Sequence, residues 1–340
     1  MKSTIIGVVA LVVVISGGYL LMSGSSVDAN AQEVMDQSLT SALEMNSYTF
    51  EGEMNMNIKA EDGDGTMKFT YAGSSEKSAL PDGAVTLEGQ LNMVIDFDVN
   101  AEPKMKGNVV VDAVIDGEVF YLKFVLSDDL LKQIPVPMIS SLNDSWIKIS
   151  MEELKASGLL PPETLAQFDE QGGLYGNLEM QNQMIKLISE SGIIKALSIK
   201  NGPTLDGKET YTLGVVIDST KTGDFLIAYM KLVGGANYND GAGDLMLSSE
   251  ERKALEESID KFFKDAEVEV IVEKESHFLR GLSVNAKIND PETKSSITLD
   301  GSFAYNDINE PVEVTVPAES TSIMEILAPF LGALMMAPAQ

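Results

Sequence analysis

Side chains that could carry out catalysis are scarce in this chain. The only histidine, His277, follows Glu275-Ser276 between two segments with strand periodicity, so we expect it in an exposed turn. Cysteine is absent, which excludes thiolate nucleophiles, zinc–thiolate centres and iron–sulfur clusters. The sequence contains no nucleophile elbow, phosphate-binding P-loop, HExxH motif or dinucleotide fingerprint. We therefore expect no catalytic residue and no cofactor.

Carboxylates are the one abundant chemical group. Asp and Glu number 52 against 24 Lys and Arg, so their abundance does not single out the pair that glycoside hydrolysis would need. The acidic segments 62–65 and 237–241 resemble calcium loops but lack the full ligand pattern. We expect turns there and no metal site, with weak surface calcium binding as the alternative. A net charge of −28 repels phosphates, so we expect no nucleic-acid partner.

Methionines in strand-like segments are more suggestive. Met54, Met56, Met67 and Met93 all fall in the apolar register of such segments, and adaptable thioether side chains recur on surfaces that bind varied apolar partners. Ordinary core packing is the simpler explanation, and a lined ligand cavity is the alternative. The candidate cavity-lining residues, chosen by strand register, are Phe50, Met54, Met56, Leu91, Met93, Ile95, Phe120, Leu122 and Phe124.

Strands with alternating apolar and polar residues would position these side chains. The longest alternation covers 85–99, and Asp116-Gly117 between two further segments is a strong hairpin signal. Tight turns between strands indicate an antiparallel sheet, and no βαβ rhythm supports a dinucleotide-binding sheet. Strands are predicted at 47–59, 67–71, 85–99, 108–115, 118–126, 145–149, 193–200, 210–218, 267–274, 278–288, 295–305 and 311–316.

Helical periodicity is concentrated before the first strand and in the middle of the chain. The first predicted helix, 31–46, has an apolar face of Val34, Met35, Leu39, Ala42 and Leu43. Further helices are predicted to begin at residues 150 and 161 and to cover 177–191, 224–233 and 249–265. The apolar tail 323–336 is too short and too interrupted by proline to span a membrane comfortably.

An uncharged segment lies near the N-terminus. A helix over residues 5–22 would span about 27 Å, close to the hydrocarbon core of a bilayer. The tripeptide Ala29-Asn30-Ala31 has the form of a signal-peptidase site. Residues 1–31 are therefore expected to be a signal peptide cleaved near Ala31 or a retained membrane anchor. Both alternatives place the remaining chain outside the cytoplasm, at the cell surface or in a periplasm.

Several short segments occur in an order known from one group of exported proteins. They follow an exported N-terminus and a helix, and they are 47–50, 116–121, 144–149, 268–272, 303–309 and 311–314, with Pro317 after them. This order resembles the LolA-like superfamily, and within it the LppX/LprG type of lipoprotein. The likeness covers most of residues 32–318, although the chain lacks the lipoprotein cysteine and is longer than typical members.

The resemblance implies an α+β fold with a strongly curved antiparallel β-sheet. In this half-barrel, helices cover the concave face and a hydrophobic cavity lies between the two layers. We expect one such domain at 32–318, with a helical middle at about 150–265 and an apolar C-terminal tail at 319–340. The resemblance also implies binding or carriage of lipids or lipidated molecules.

Three functional hypotheses follow from these patterns. The leading one is a non-enzymatic, extracytoplasmic protein that binds or carries a lipid or another apolar small molecule, attached to the membrane only through its N-terminal segment. The alternative is a structural or sensory ectodomain that binds a protein or another cell-envelope partner through its acidic exterior. A hydrolase that uses paired carboxylates is the third.

Overall fold

The structure, a computed structural model, describes residues 28–61, 63–79, 85–100, 104–133, 142–157, 178–234, 248–263, 266–290 and 294–328. The predicted anchor segment 5–22, the predicted helix at residue 161 and the end of the apolar tail lie outside these residues. Within the described part of the chain, no helix is long and apolar enough to span a bilayer.

The described residues contain twelve strands, most of which lie close to the predicted segments. The strand at 63–79 is much longer than the predicted 67–71, and the one at 321–322 was not predicted. The strands are β1 (Ser47–Ala60), β2 (Gly63–Ala79), β3 (Val85–Val99), β4 (Met105–Asp116), β5 (Val119–Leu126), β6 (Ile147–Ser150), β7 (Ile194–Asn201), β8 (Thr210–Ile217), β9 (Glu267–Glu273), β10 (Leu279–Asp290), β11 (Ser295–Asn306) and β12 (Thr321–Ser322). The predicted hairpin at Asp116-Gly117 is confirmed, and Gly117 takes the positive φ of 59° that a tight turn requires.

Helices precede, interrupt and follow these strands. They are α1 (Ala29–Ser41), α2 (Asp128–Gln133), α3 (Met151–Ser157), α4 (Leu178–Ser191), α5 (Ser219–Gly234) and α6 (Ser249–Phe263), with a 3-10 turn at Ala42–Glu44 and a short helical stretch at 323–328. The predicted start of α5 at residue 224 was five residues late, because Asp218 caps a first turn that has no apolar periodicity.

The strands form one twelve-stranded sheet in the order β12-β6-β5-β4-β3-β2-β1-β11-β10-β9-β8-β7. The pairs from β2 to β6 and from β7 to β11 are antiparallel, and the pair β12–β6 is parallel. The predicted α+β class, with a large and mainly antiparallel sheet accompanied by helices, is confirmed. The order has two ends, β12 and β7, so the sheet does not close on itself.

The chain folds into two compact units. The first unit consists of the described residues within 28–45, 52–64 and 179–306, and the second consists of those within 46–51, 65–178 and 307–328. Each unit therefore combines segments that are distant in sequence, and β1 contributes residues to both.

The first unit has its core between α1 and the strands β7, β9 and β10. Ala31, Met35 and Leu39 of α1 are buried together with Ser38, so the buried stripe begins one turn earlier than the predicted face. Val34 is half-buried, and the predicted helix ends before Ala42, where a 3-10 turn begins. The tripeptide of the predicted cleavage site thus forms the first turn of α1, with Ala31 in the core.

The segment 311–316, predicted to be a strand, is not one. It begins with Pro311 and is followed by Pro317, and neither proline has a backbone N–H that could donate to a neighbouring strand. The alternation holds in its first part, where Val312 and Val314 are half-buried and Glu313 is exposed, but Val316 is exposed as well. The alternation of apolar and polar residues therefore indicated an extended segment of the second unit. This segment lacks the hydrogen-bonded neighbouring strand that would make it part of the sheet.

Candidate apolar binding face

One face of the sheet in the second unit carries almost only apolar side chains. Directly paired residues of antiparallel strands point to the same side of a sheet, so the register shows which side chains belong together. Met93 pairs with Tyr71 and with Val111, and Val111 pairs in turn with Phe124. The apolar face, as defined by these pairings, comprises Met67, Phe69, Tyr71, Leu87, Leu91, Met93, Ile95, Phe97, Val109, Val111, Ala113, Ile115, Phe120, Leu122, Phe124, Ile147 and Ile149.

Most side chains of the apolar face are only half-buried. Leu91, Met93, Ile95 and Leu122 all retain access to solvent, whereas Phe69 and Ile147 are buried. An apolar sheet face normally packs against another layer. A contiguous apolar area that stays partly exposed is a feature of ligand-binding and partner-binding surfaces.

Phe50 of β1 belongs to this face because its ring covers Gly73. A Cβ built on Gly73 would lie 2.5 Å from Cζ of Phe50, and it would also meet the backbone carbonyl of Gln90. Gly73 pairs with Leu91, so the ring lies on the apolar side of the sheet. The absence of a side chain at residue 73 thus makes room for the aromatic ring.

Helix α2 closes one end of the apolar face. Leu130 is 3% exposed, and its Cβ lies 3.2 Å from the position a Cβ would take on Gly107. Gly107 pairs with Phe97, so Leu130 lies on the apolar side near the last residues of β3. Glycine at position 107 allows this close approach of helix and strand.

At the other end of the apolar face, polar side chains of β1 and β2 lie in the same rows as apolar residues of the neighbouring strands. Ser75 and Lys77 continue the register of Met67, Phe69 and Tyr71 along β2, and Lys77 pairs with Leu87. The Tyr48 hydroxyl forms a hydrogen bond with the Ser75 side chain, and the Lys77 backbone N–H donates to the Asn46 carbonyl at 2.7 Å. Two hydroxyls and one ammonium group therefore lie at this end.

Burial changes the acidity of the groups at this end. It lowers the pKa of the Lys77 ammonium and raises the pKa of the Tyr48 phenol, against the opposing hydrogen bond from Ser75. Burial also raises the pKa of Tyr71, further along the face. Removal from water disfavours the charged form of each group.

The opposite face of the same strands is mixed, because polar cross-strand pairs alternate with the apolar rows Val94–Val110–Val125 and Val114–Tyr121, and Val114 and Tyr121 are buried. Direct cross-strand pairs join Asn108 to Asp96, with Nδ2 donating to Oδ1 at 2.7 Å, and Lys123 to Asp112, with 3.0 Å between Nζ and Oδ2. The Lys123 ammonium also lies 5.3 Å from the ring centroid of Trp146. This face therefore combines polar and apolar rows, whereas the first face is apolar in its central rows.

The structure places seven of the nine predicted cavity-lining residues together. Phe50 lies on the apolar face because its ring covers Gly73. The strand register places six further predicted residues on the same face: Leu91, Met93, Ile95, Phe120, Leu122 and Phe124. Met54 and Met56 belong to the first unit, where Met54 is 5% exposed and packs over Gly301. That these residues line a ligand cavity stays a prediction.

Sequence reasoning did not select the polar side chains at this end of the apolar face. The predicted cavity lining consisted of apolar residues only, so it did not include Lys77, Ser75 and Tyr48. Ser75 and Lys77 continue the odd-numbered alternation of β2 beyond Tyr71, so the register itself could have placed them on the same side. The sequence signal that could have placed Lys77 on this side of the sheet is its position in the odd-numbered alternation of β2.

A separate open groove of about 790 Å³ lies in the first unit. It runs along the polar side of α1 and includes Gln32, Asp36 and His277. The side chain of Gln32 donates from Nε2 to Oδ1 of Asp36 at 2.9 Å and accepts from the Ala196 N–H at 2.8 Å.

His277 lies in the turn after β9, as predicted, and has a φ of 58°. Its side chain is half-buried, although the sequence predicted an exposed one. Among the described residues, no group of three or more His, Asp or Glu side chains could hold a metal ion.

Comparison with known proteins gives distant similarities only. No family model and no curated protein matches the chain. Among solved structures it is similar to LprF from Mycobacterium bovis, with 11% identity, a TM-score of 0.32, and 87% of this chain and 100% of that chain covered. It is also similar to a DUF1329 family protein from Desulfovibrio piger, with 11% identity, a TM-score of 0.20, and 81% and 92% covered. Both TM-scores are low, so neither similarity assigns a function.

Proposed function

We propose that this protein is an extracytoplasmic, non-enzymatic binder or carrier of a lipid or similar apolar ligand, and that the ligand lies on the apolar face. The single observation that carries the proposal is the two-sided sheet of the second unit. One side is apolar in its central rows and mostly half-buried, and the other side mixes valine pairs with cross-strand polar pairs.

The central rows of the face suit a flexible hydrocarbon chain. Their side chains come from four strands, and small residues such as Ala113 stand between larger ones such as Leu91 and Leu122. Burying a methylene group contributes about 0.8 kcal/mol. A hydrocarbon chain of many methylenes would therefore be bound by the apolar area that it buries away from water, and no catalytic group would be needed.

An Ala113→Trp substitution should weaken ligand binding, because the larger side chain would occupy part of the apolar face. The indole would occupy space between Leu91 and Leu122 and displace several methylenes of the ligand. Affinity for a fluorescent fatty acid should fall about tenfold or more. Fluorescence titration of delipidated protein measures it, and urea unfolding verifies that the variant is folded.

Asn92→Trp is the matched control. Asn92 is exposed and follows Leu91 on β3, so its side chain points to the opposite face. The same indole added there should leave binding unchanged. Equal affinity of Ala113→Trp and the unmodified protein would place the ligand elsewhere. A purified protein that carries no lipid by mass spectrometry and binds no fluorescent fatty acid would contradict the proposed function itself and would favour a cell-envelope partner.

A further inference from the structure

We propose that signal peptidase does not cleave this chain after Ala31, and that residues 5–22 remain as a membrane anchor. The sequence is compatible with release and with retention, and the structure of the first turn of α1 favours retention. This inference goes beyond the proposed function, because it states where the protein acts. It works at the surface of the membrane that anchors it, and it is not a freely diffusing carrier.

Asp28 caps helix α1. Its Oδ1 accepts hydrogen bonds from the backbone N–H groups of Asn30 at 2.9 Å and of Ala31 at 3.2 Å, which have no acceptor within the helix. Cleavage after Ala31 would remove this cap and the first three of the thirteen residues of α1. It would also create an α-amino group on Gln32, and a positive charge is unfavourable at a helix N-terminus.

The same residues attach α1 to the strand β7. The Asp28 backbone N–H donates to the Ala196 carbonyl at 3.2 Å, and the Ala196 N–H donates to Oε1 of Gln32 at 2.8 Å. Because β7 is one end of the strand order, these hydrogen bonds satisfy backbone groups of an edge strand. Loss of residues 28–31 would therefore uncover part of the sheet edge.

The fold gives its own reason for a small residue at position 31. Both Ala31 and Ala196 are completely buried, and α1 packs on β7 in the core of the first unit. A small side chain permits this close packing of helix and sheet. The small residue that suggested a cleavage site is thus explained by burial.

The N-terminal segment has the length of an anchor. Residues 5–22 are eighteen uncharged residues, whereas the apolar core of a cleaved signal peptide has about 7–15, and about 20 residues span a bilayer. Lys2 is the one charged side chain before Asp28, and a positive charge favours the cytoplasmic side. The folded part would then lie outside, as the proposed function requires.

The connection between anchor and fold is short. Five residues, 23–27, lie between the anchor segment and Asp28, and fully extended they would reach at most about 18 Å. Helix α1 would therefore begin near the bilayer surface. A net charge of −28 is repelled by anionic head groups, so the peptide anchor, and not surface adhesion, would hold the protein there.

Fractionation of the cells that produce the protein, followed by intact-mass spectrometry, tests the inference. We expect the protein in the membrane fraction after an alkaline carbonate wash, with a mass that includes residues 5–22. A protein recovered in the soluble extracytoplasmic fraction would overturn the inference, and so would a mature N-terminus at Gln32.

Ala29→Leu removes the first small residue of the tripeptide that signal peptidase would recognise. Ala29 is exposed, so leucine does not enter the core. Asn30→Leu is the matched control, because Asn30 is also exposed and its position in the tripeptide has no size requirement. We expect both variants to remain in the membrane fraction as the unmodified protein does. A shorter soluble species that Ala29→Leu abolishes and Asn30→Leu retains would overturn the inference.

Asp28→Ala tests whether the fold depends on this segment. Loss of the cap should lower the Tm of the full-length protein in detergent by about 2–4 °C, measured by differential scanning calorimetry. Asn30→Ala changes an exposed side chain of the same turn and should not lower the Tm. An unchanged Tm for Asp28→Ala would contradict the inference.

These outcomes are distinct from those that test the proposed function. A released protein that binds a fluorescent fatty acid would overturn the anchor and leave the proposed function intact. An anchored protein that binds no fatty acid would support the anchor and contradict the proposed function.

Discussion

At the scale of single residues, two glycines on β2 have opposite roles although they lie on the same strand. A Cβ at Gly73 would collide with the Phe50 ring and the Gln90 carbonyl, whereas a Cβ at Gly65 would lie 3.7 Å from the nearest Val99 methyl carbon, an ordinary van der Waals distance. The first glycine is therefore required by packing, and the second is not.

Gly73→Ala should destabilise the protein by about 1–3 kcal/mol, because the ring or the neighbouring strand must move to admit the methyl group. Urea unfolding followed by circular dichroism measures the free energy of unfolding. Gly65→Ala is the matched control and should change that free energy by less than about 0.5 kcal/mol. Equal effects of the two substitutions would show that Phe50 does not cover Gly73.

At the scale of elements, Asp218 joins helix α5 to the edge strand β7. Its Oδ1 accepts from the Thr220 N–H at 3.1 Å and from the Thr220 hydroxyl at 2.5 Å, and its Oδ2 lies 2.6 Å from Nζ of Lys195. Burial raises the pKa of Asp218, but the hydrogen bonds from Lys195 and Thr220 outweigh it and hold the pKa below its ordinary value. The carboxylate thus caps the helix and pairs with the strand at once.

Asp218→Ala should lower the free energy of unfolding at pH 7 by about 0.5–2 kcal/mol, the usual contribution of a helix cap. Because the pKa is lowered in the folded state, the contribution of the charge is present above the ordinary aspartate pKa and is lost as the pH falls through the folded value. Urea unfolding at pH 7 and in acid measures this.

Asp218→Asn keeps a side-chain acceptor for the helix and removes the pairing with Lys195. It should lie between the unmodified protein and Asp218→Ala at pH 7. Its difference from the unmodified protein should shrink in acid, where Asp218 is protonated in both folded and unfolded states. A difference that does not depend on pH would show that the charge contributes nothing.

At the scale of the whole molecule, the charge of −28 dominates the electrostatics. Ion pairs such as Lys106–Asp98 are exposed, and exposed pairs contribute little to stability. Excess like charge opposes the compact state. The same charge repels free anions.

Added salt should stabilise this protein. Raising NaCl from low to moderate concentration screens repulsion among the 52 acidic residues more than it weakens attraction to the 24 basic ones. We expect the Tm to rise by a few degrees, measured by differential scanning calorimetry. A fall in Tm would show that exposed ion pairs outweigh the net repulsion.

The strands and the two faces of each strand follow from local patterns in the sequence. Alternation in 85–99 predicted the bounds of β3, and Asp116-Gly117 predicted the hairpin, because period two and turn chemistry are local properties. The same locality explains the error at 311–316, since a pattern of side chains does not show whether another strand lies alongside.

The identity of neighbouring strands, in contrast, emerges only from the folded chain. The register between β2 and β5 brought Leu91 and Phe124 onto one face, and the fold placed Met54 in a different unit although it lies four residues from Phe50. The same register placed Lys77 at the end of the apolar face. Long-range pairing depends on hydrogen bonds and packing between distant segments, so no single stretch of sequence contains it.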